Sequence, residues 1–384
     1  MCREISYDDY EFSTRSLSEM WAELAKNHQE TEWKMFPRTS RLKAYGFSGD
    51  DLEKHDTRVQ RLLGSVDPDL ARDTASGGTQ LMLTLGKDVY LVRKCAMPSV
   101  YESAMISGKS LGLMDPAARS STLNHCLHVA QGGSTALIRA GKLSALLSDG
   151  YVVMDSMRVY ETAERAIRNR MGTPDFRSGR ITHSYSDMLL ELPDIQDKFL
   201  KEYRDALTDA GTQYRAPNVM PAVRISTSDT GASAATIMPL CKADSPHGSS
   251  YLNFCAPIKV EHRSKGTGRS KGMAAFQEET ENLFSKFNET CEVVGRMAGT
   301  TIFYPMNFIR RVCERVKLPA KYTIAALEAH QMFGERQCSC YDCYMSIYDG
   351  FADVSEPKTR LDLEEKTRKI LKLRWRDYDT SVKM

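Results

Sequence analysis

The sequence lacks several features that define large classes of protein. No apolar run approaches the roughly 18 residues needed to span a bilayer. The first residues, MCREISYDDYEF, carry early acids and no apolar h-region, so we expect no secretory signal. The 52 Lys and Arg nearly balance the 50 Asp and Glu, so a nucleic-acid surface would have to come from local clustering of positive charge. We therefore expect a cytoplasmic protein that does not enter a membrane.

Signatures of common catalytic sites are also missing. The sequence has no GxxxxGK[ST] phosphate-binding loop and no HExxH zinc motif. Asp229-Thr230-Gly231 resembles the catalytic turn of aspartic proteases, but no second copy supplies the paired carboxylate. We interpret it as a polar hairpin turn. An enzyme is disfavoured, and it would need four distant residues to converge within hydrogen-bond reach. These four are Ser148, Asp149, Asp229 and His262.

The apolar content and its patterning indicate a large α+β protein. With 384 residues, 41% of them hydrophobic, the chain can bury a full core. Alternating runs flank turns at Gly86, Gly141 and Gly231, which predicts hairpins of a central, mostly antiparallel sheet. Apolar stripes at helical spacing predict helices over residues 17–36 and after about Met273. We predict three regions: an N-terminal helical arm (1–75), an α+β core (76–300) and a C-terminal helical layer (301–384).

Ten cysteines in such a chain are most simply reduced thiols. Cys338, Cys340 and Cys343 lie within six residues, and His330 lies eight residues before Cys338. Cys340 and Cys343 have the C-x-x-C spacing, but a structural zinc site usually has a second such pair. We interpret these residues as buried thiols and predict no metal and no cofactor. A zinc site and a redox pair are the alternatives.

The most unusual stretch of the chain is basic and rich in glycine. Residues 261–272 read EHRSKGTGRSKG, and the glycines let backbone amides approach an anion closely. The stretch precedes a predicted helix, whose N-terminus favours phosphate. A nearby tyrosine offers a ring on which bases stack. We predict a nucleic-acid-binding site made of Lys259, His262, Arg263, Lys265, Arg269, Lys271 and Tyr251. A solvated surface loop is the alternative.

Four segments resemble a known family. They are LIRAGKLSALLSDGYVVMD (137–155), PAVRISTSDTGASAATIMPL (221–240), EHRSKGTG (261–268) and the helical pattern around CYDCY (340–344). Over roughly residues 120–375 the chain resembles the phage/plasmid-like proteins built on a domain of unknown function. The resemblance implies a soluble α+β protein of phages, plasmids or integrated elements, residing in the bacterial host cytoplasm if phage-encoded. It implies no activity.

We predict a non-catalytic nucleic-acid-binding protein of a mobile element, acting on single-stranded DNA in recombination or replication. The basic loop would contact phosphates while nearby aromatic rings stack on bases. Because the net charge is only +2, a homo-oligomer would supply several basic loops and the avidity that one loop lacks. The alternative is a protein-interaction module, such as an anti-defence or viral assembly protein, whose loops bind another protein.

Overall fold

The computed structural model describes residues 4–52, 57–107, 109–208, 218–245, 248–262, 272–331, 334, 336–354 and 356–381. Helices and strands are both abundant in these ranges, and the predicted α+β class is confirmed. The strands are β1 (Glu11–Thr14), β2 (Thr31–Phe36), β3 (Lys43–Gly46), β4 (Leu81–Leu85), β5 (Asp88–Val92), β6 (Ser134–Arg139), β7 (Lys142–Ser148), β8 (Asp175–Thr182), β9 (Ser186–Glu191), β10 (Val219–Thr227), β11 (Ala235–Ser245), β12 (Gly248–Leu252), β13 (Ile258–Val260), β14 (Thr301–Ile302) and β15 (Cys338–Ser339).

The α-helices alternate with these strands in the first 300 residues and dominate the remainder. They are α1 (Leu17–Gln29), α2 (Arg58–Leu63), α3 (Pro68–Ser76), α4 (Met97–Ser103), α5 (Pro116–Val129), α6 (Ser156–Met171), α7 (Gln196–Thr208), α8 (Met273–Glu281), α9 (Leu283–Ala298), α10 (Pro305–Arg315), α11 (Ala320–Gln331), α12 (Cys340–Asp349) and α13 (Pro357–Arg368). In the described ranges, no helix combines the length and the apolar character required to cross a bilayer.

The first sheet is antiparallel throughout its described pairings. Its order is β1-β8-β9-β10-β11-β12, and β13 also pairs with β11. Alternate residues of the central strands, such as Met188, Val223 and Ile237, are buried in the largest core cluster beneath α6, α7 and α9. Their neighbours Leu189 and Ala222 face the opposite side of the sheet and form a smaller apolar cluster there. The period-two pattern therefore buries one face against the helices, as expected for a half-covered sheet.

The second sheet has the order β2-β6-β7-β5-β4-β3. Its hairpins β4–β5 and β6–β7 turn at the glycines from which hairpins were predicted, and β5 pairs with β7 in parallel. Helix α5 packs across its edge strand β3. The strands predicted for one central sheet are thus divided between two sheets.

The first 75 residues contribute to both sheets. Ser16 caps α1, since its side chain accepts a hydrogen bond from the amide of Glu19. The helix ends at Gln29, however, and residues 31–36 form β2, which pairs with β6 along its full length. The predicted helix over residues 17–36 was wrong in its second half, because pairing with a distant strand outweighs local helical spacing. Three strands of this region, β1, β2 and β3, belong to the sheets, while the division into three domains stays a prediction.

The C-terminal region is mainly helical, as its residues predicted. Helix α12 is buried on all sides from residue 340 to residue 348. The single helix expected after Met273 is two helices that meet at Asn282. Tyr341 and Tyr344 of α12 pack against Phe254, which follows β12, and Tyr341 also packs against Tyr203 of α7. This aromatic contact joins the C-terminal helices to the core of the first sheet.

Candidate functional site

A cleft of about 580 Å³ lies where the ends of the two sheets approach each other. Its lining mixes hydroxyl and amide side chains with apolar ones and includes the carboxylates of Glu102 and Glu261. No Lys or Arg from the described part of the chain lines it. The described walls of the cleft therefore suit neutral, hydrogen-bonding groups more than phosphates.

Two turns shape the walls of the cleft. Strand β7 ends at Ser148, and the turn after it is closed by a hydrogen bond from the Tyr151 amide to the Ser148 carbonyl at 3.0 Å. The turn between β10 and β11 is closed by Ser228, whose Oγ accepts a hydrogen bond from the Ala232 amide at 3.1 Å. Gly231 adopts a φ of +72° in this second turn, a conformation in which side chains are disfavoured. The Asp229-Thr230-Gly231 motif thus lies in a hairpin turn, as predicted.

Tyr151 and His262 form the centre of the site. The Tyr151 hydroxyl lies 3.0 Å from His262 Nδ1, and the two rings are nearly parallel with centroids 5.2 Å apart. Trp33 of β2 stacks on Tyr151 from the second sheet, with a centroid distance of 5.9 Å. The three rings therefore bridge the two sheets beside the cleft.

His262 is neutral at neutral pH. Its side chain is only 5% exposed, and burial lowers the pKa of its imidazole. Its Nε2 is buried without a hydrogen-bond partner among the described residues. Burial likewise raises the pKa of Tyr151 above its usual value. A neutral imidazole beside a neutral phenol hydrogen-bonds a ligand but supplies no cationic contact to a phosphate.

The carboxylate of Asp229 is turned away from His262. It accepts hydrogen bonds from Arg139 Nη2 at 2.6 Å and from Ser156 Oγ at 2.6 Å, beside a separate cavity of about 20 Å³. Only its backbone carbonyl accepts from the Tyr151 hydroxyl, at 3.1 Å. Asp149 accepts from the Gly133 amide at 3.3 Å. Ser148 and His262 do share the cleft, yet in the described structure no hydrogen bond directly joins any two of the four side chains proposed as a catalytic set.

The predicted basic loop begins and ends beside the cleft. Lys259 is exposed on β13, opposite Thr236 of β11. His262 accepts a hydrogen bond through its carbonyl from the Val152 amide at 2.8 Å. At the other end, Gly272 has a φ of +92° and approaches Val152 so closely that an added Cβ would lie 2.9 Å from its Cγ1. The predicted contacts Arg263, Lys265, Arg269 and Lys271 lie outside the described residues.

Tyr251 lies away from this site. It pairs with Lys242 near the end of β11, whereas the cleft lies before the first residue of that strand. Lys242 lies eight residues after Ala234, the cleft residue directly before this strand, which corresponds to about 26 Å of extended strand. The Tyr251 hydroxyl donates to the buried carboxylate of Glu191, which also contacts Arg177 and Lys242. The structure therefore does not bring Tyr251 together with His262, and its prediction as a stacking residue of the same site gains no support.

Sequence reasoning missed Tyr151 and Trp33 as parts of the site. Tyr151 is 111 residues from His262 along the chain, and no motif links them. The available signal was the position of Tyr151 directly after a strand-ending turn, where side chains reach the edge of a sheet. The chain matches no protein-family model, no curated protein and no solved structure.

Proposed function

We propose that this protein binds single-stranded nucleic acid, with bases entering the cleft and phosphates contacting the basic segment that starts at its wall. The proposal extends to a role in recombination or replication of a phage or plasmid, which rests on the family resemblance alone. We also propose that the protein resides in a reducing cytoplasm, which agrees with the nine free cysteines of the described chain.

The observation that carries the proposal is the placement of both ends of residues 263–271. Four of these nine residues are Lys or Arg and none is acidic. His262 before them lines the cleft and Gly272 after them lies against Val152, which also holds His262. A strongly basic segment is thereby tethered at both ends next to a polar cleft. Such a pairing of charge and cavity is typical of sites that hold the backbone and the bases of one strand separately.

The chemistry of the cleft favours unpaired bases over a duplex. Its volume of about 580 Å³ is that of a small-molecule site, large enough for about one or two bases. Ser148, Ser233 and Gln131 offer hydroxyl and amide groups to base edges. Glu102 and Glu261 disfavour phosphate inside the cleft. The phosphates are therefore left to the basic segment outside it.

Fluorescence anisotropy with labelled single-stranded and double-stranded oligonucleotides, over a salt series, tests the proposal. We expect the single strand to bind more tightly than the duplex and to weaken with salt. In the variant R263A/K265A/R269A/K271A the slope of log K against log salt should shrink by about 0.7 for each lost phosphate contact. The variant S148W places a large ring at the exposed rim of the cleft and should reduce single-strand affinity while keeping the salt slope.

A matched control removes the same number of positive charges elsewhere. Lys369, Lys372, Arg374 and Arg376 are exposed in the C-terminal basic run, and their combined change to alanine should leave binding nearly unchanged. Equal losses of affinity in the two quadruple variants would show that binding depends only on the net charge of the protein and not on the basic segment. Absence of binding by the wild-type protein at low salt would reject the proposal in favour of a protein partner. Analytical ultracentrifugation with and without oligonucleotide tests whether binding is accompanied by a homo-oligomer.

A further inference from the structure

A second group of side chains in the C-terminal helices has the arrangement of a metal site. His330 lies in the last turn of α11, Cys338 lies in β15 and Cys343 lies in α12, and all three are buried. The Sγ atoms of the two cysteines are 3.5 Å apart, and Cys338 Sγ lies 3.8 Å from His330 Nε2. The three potential ligand atoms all lie within 4.8 Å of one another.

These separations match the edges of a tetrahedron around zinc. With Zn–S bonds of about 2.3 Å, two sulfur ligands are about 3.8 Å apart, and sulfur and nitrogen ligands are about 3.6 Å apart. The observed 3.5 and 3.8 Å lie close to both values. The sulfur–sulfur distance is far longer than the roughly 2.05 Å of a disulfide bond. The group is therefore spaced for a shared ion between its members.

The surrounding hydrogen bonds orient the imidazole for metal binding. His330 Nδ1 lies 2.9 Å from Ser346 Oγ, and Ser346 donates to the Asp342 carbonyl at 3.0 Å. Because the Ser346 hydroxyl donates its proton to that carbonyl, its Oγ can only accept from His330, so Nδ1 carries a proton and donates to Oγ. The lone pair of the ring is then on Nε2, the atom nearest Cys338. Metal-bound histidines are commonly held in this way by a partner on the other ring nitrogen.

We propose that His330, Cys338 and Cys343 bind one zinc-type divalent ion, with water as the fourth ligand. Two thiolates and one imidazole form a soft ligand set that prefers zinc to magnesium or calcium. Binding displaces the proton of each thiol, and the two negative charges then balance the ion inside the protein. The ion links α11, β15 and α12, in addition to the direct packing of α11 against α12. This site is independent of the cleft and of nucleic-acid binding.

The sequence spacing draws attention to a different pair of cysteines from the one that the structure brings together. Cys340 and Cys343 have the C-x-x-C spacing, but Cys340 is outside the group that the structure brings together. Cys338 takes its place because it lies in β15, immediately before α12, while Cys343 is on the first turns of that helix. Cys340 is fully buried only a few residues away and is therefore a well-matched control.

Cobalt(II) binding by the reduced, chelator-treated full chain tests the site. We expect one ion per chain, with a thiolate-to-cobalt charge-transfer band and the visible bands of tetrahedral coordination, and displacement by zinc. C338S and C343A should each lower zinc affinity by at least about 100-fold, measured by competition with a chromophoric chelator. C340A should keep the wild-type affinity and spectrum.

A further variant covers the case in which the cysteine variants fail to fold. S346A removes only the hydroxyl that orients His330 and should lower zinc affinity about 10-fold with an unchanged circular dichroism spectrum. A wild-type chain that binds no cobalt, or equal losses in C340A and C343A, would overturn the proposal. So would a Cys338–Cys343 disulfide found by mass spectrometry in a chain that takes up no metal after reduction, since that result identifies a redox pair.

Discussion

At the scale of single residues, three cations are buried where the N-terminal segment meets both sheets. Arg93 and Lys142 are fully buried and Arg139 is 3% exposed. Arg93 donates to the carbonyls of residues 5, 6 and 7 and to the Arg139 carbonyl, all at 3.0–3.1 Å. Charges so deeply buried are costly unless they are paired and hydrogen-bonded. These residues therefore fix the course of residues 5–8 against the sheets.

Lys142 offers the sharpest test of this cluster. Its Nζ contacts Asp8 at 3.0 Å and Asp73 at 2.5 Å. The variant K142M keeps the aliphatic stem but leaves both carboxylates without this partner, so we expect the free energy of unfolding to fall by about 3 kcal/mol. Urea denaturation followed by circular dichroism measures the change.

The matched control is a surface ion pair. Arg168 contacts Glu164 one helical turn earlier at 2.7 Å, with the arginine 45% exposed. R168M should cost about 0.5 kcal/mol or less. A K142M effect as small as that of R168M would show that the buried cluster does not stabilise the fold.

At the scale of secondary-structure elements, the contact between β3 and α5 protects the edge of the second sheet. Asn124 of α5 accepts from the Ala44 amide at 2.7 Å and donates to the Ala44 carbonyl at 2.8 Å. Its side chain thus pairs with β3 as a neighbouring strand would. Covering an edge strand in this way prevents its pairing with other chains.

Gly46 allows α5 to approach β3 this closely. A Cβ added to Gly46 would lie 2.0 Å from the Pro116 carbonyl oxygen, a backbone atom of the first turn of α5. G46A must therefore separate the helix from the strand, and we expect a loss of about 3 kcal/mol in the free energy of unfolding. Hydrogen exchange should show faster exchange in β3 and α5.

Gly49 provides the control for this substitution. No atom lies within 4 Å of a Cβ added there, so G49A should change stability by less than about 1 kcal/mol. Similar losses in G46A and G49A would mean that backbone flexibility, and not the close approach of α5, determines the effect.

At the scale of the whole molecule, the two sheets meet through polar and aromatic contacts. Arg139 of the second sheet donates to the His183 carbonyl at 3.3 Å and pairs with Asp229 between strands of the first sheet. His183 Nε2 lies 2.9 Å from Arg93. Such an interface depends on the charge state of its members, unlike an apolar core.

Acid should therefore weaken the molecule through His183. Burial, and then the positive charge of Arg93, lowers the pKa of His183 to about 3, and Arg139 and Lys142 act in the same direction. The unfolded chain takes up this proton below about pH 6.5, whereas the folded chain does not until about pH 3. The free energy of unfolding should thus be unaffected by this group above pH 6.5 and fall by up to about 1.4 kcal/mol per pH unit below it.

Urea denaturation between pH 7.5 and pH 4.5 measures this dependence. The variant H183Q cannot take up the proton in either state, so its stability should fall less steeply with acid. Parallel curves for the wild type and H183Q would assign the acid sensitivity to other groups, among them His262, whose pKa is also lowered by burial.

Local sequence determined several of the elements. Alternation around Gly86 and Gly141 predicted two hairpins, because such patterns depend on neighbours a few positions away. Residues 31–36 were mistaken for helix because their strand partner lies about 100 residues later in the chain. Cys340 and Cys343 have the C-x-x-C spacing, whereas the structure groups Cys338 with His330 and Cys343, because sequence distance cannot show which thiol faces the imidazole.

The α+β class, the hairpins at Gly86, Gly141 and Gly231, and the cluster of positive charge at residues 263–271 thus follow from the order of the amino acids. Folding in three dimensions was needed to show that Tyr151 and His262 meet beside a cleft, that Asp229 pairs with Arg139, and that Cys338 lies beside His330 and Cys343. The physical reason is that each of these sites is built from side chains on separate elements. Their distances are set by sheet order and helix packing, which minimise the free energy of the whole chain and leave no mark on any short stretch of sequence.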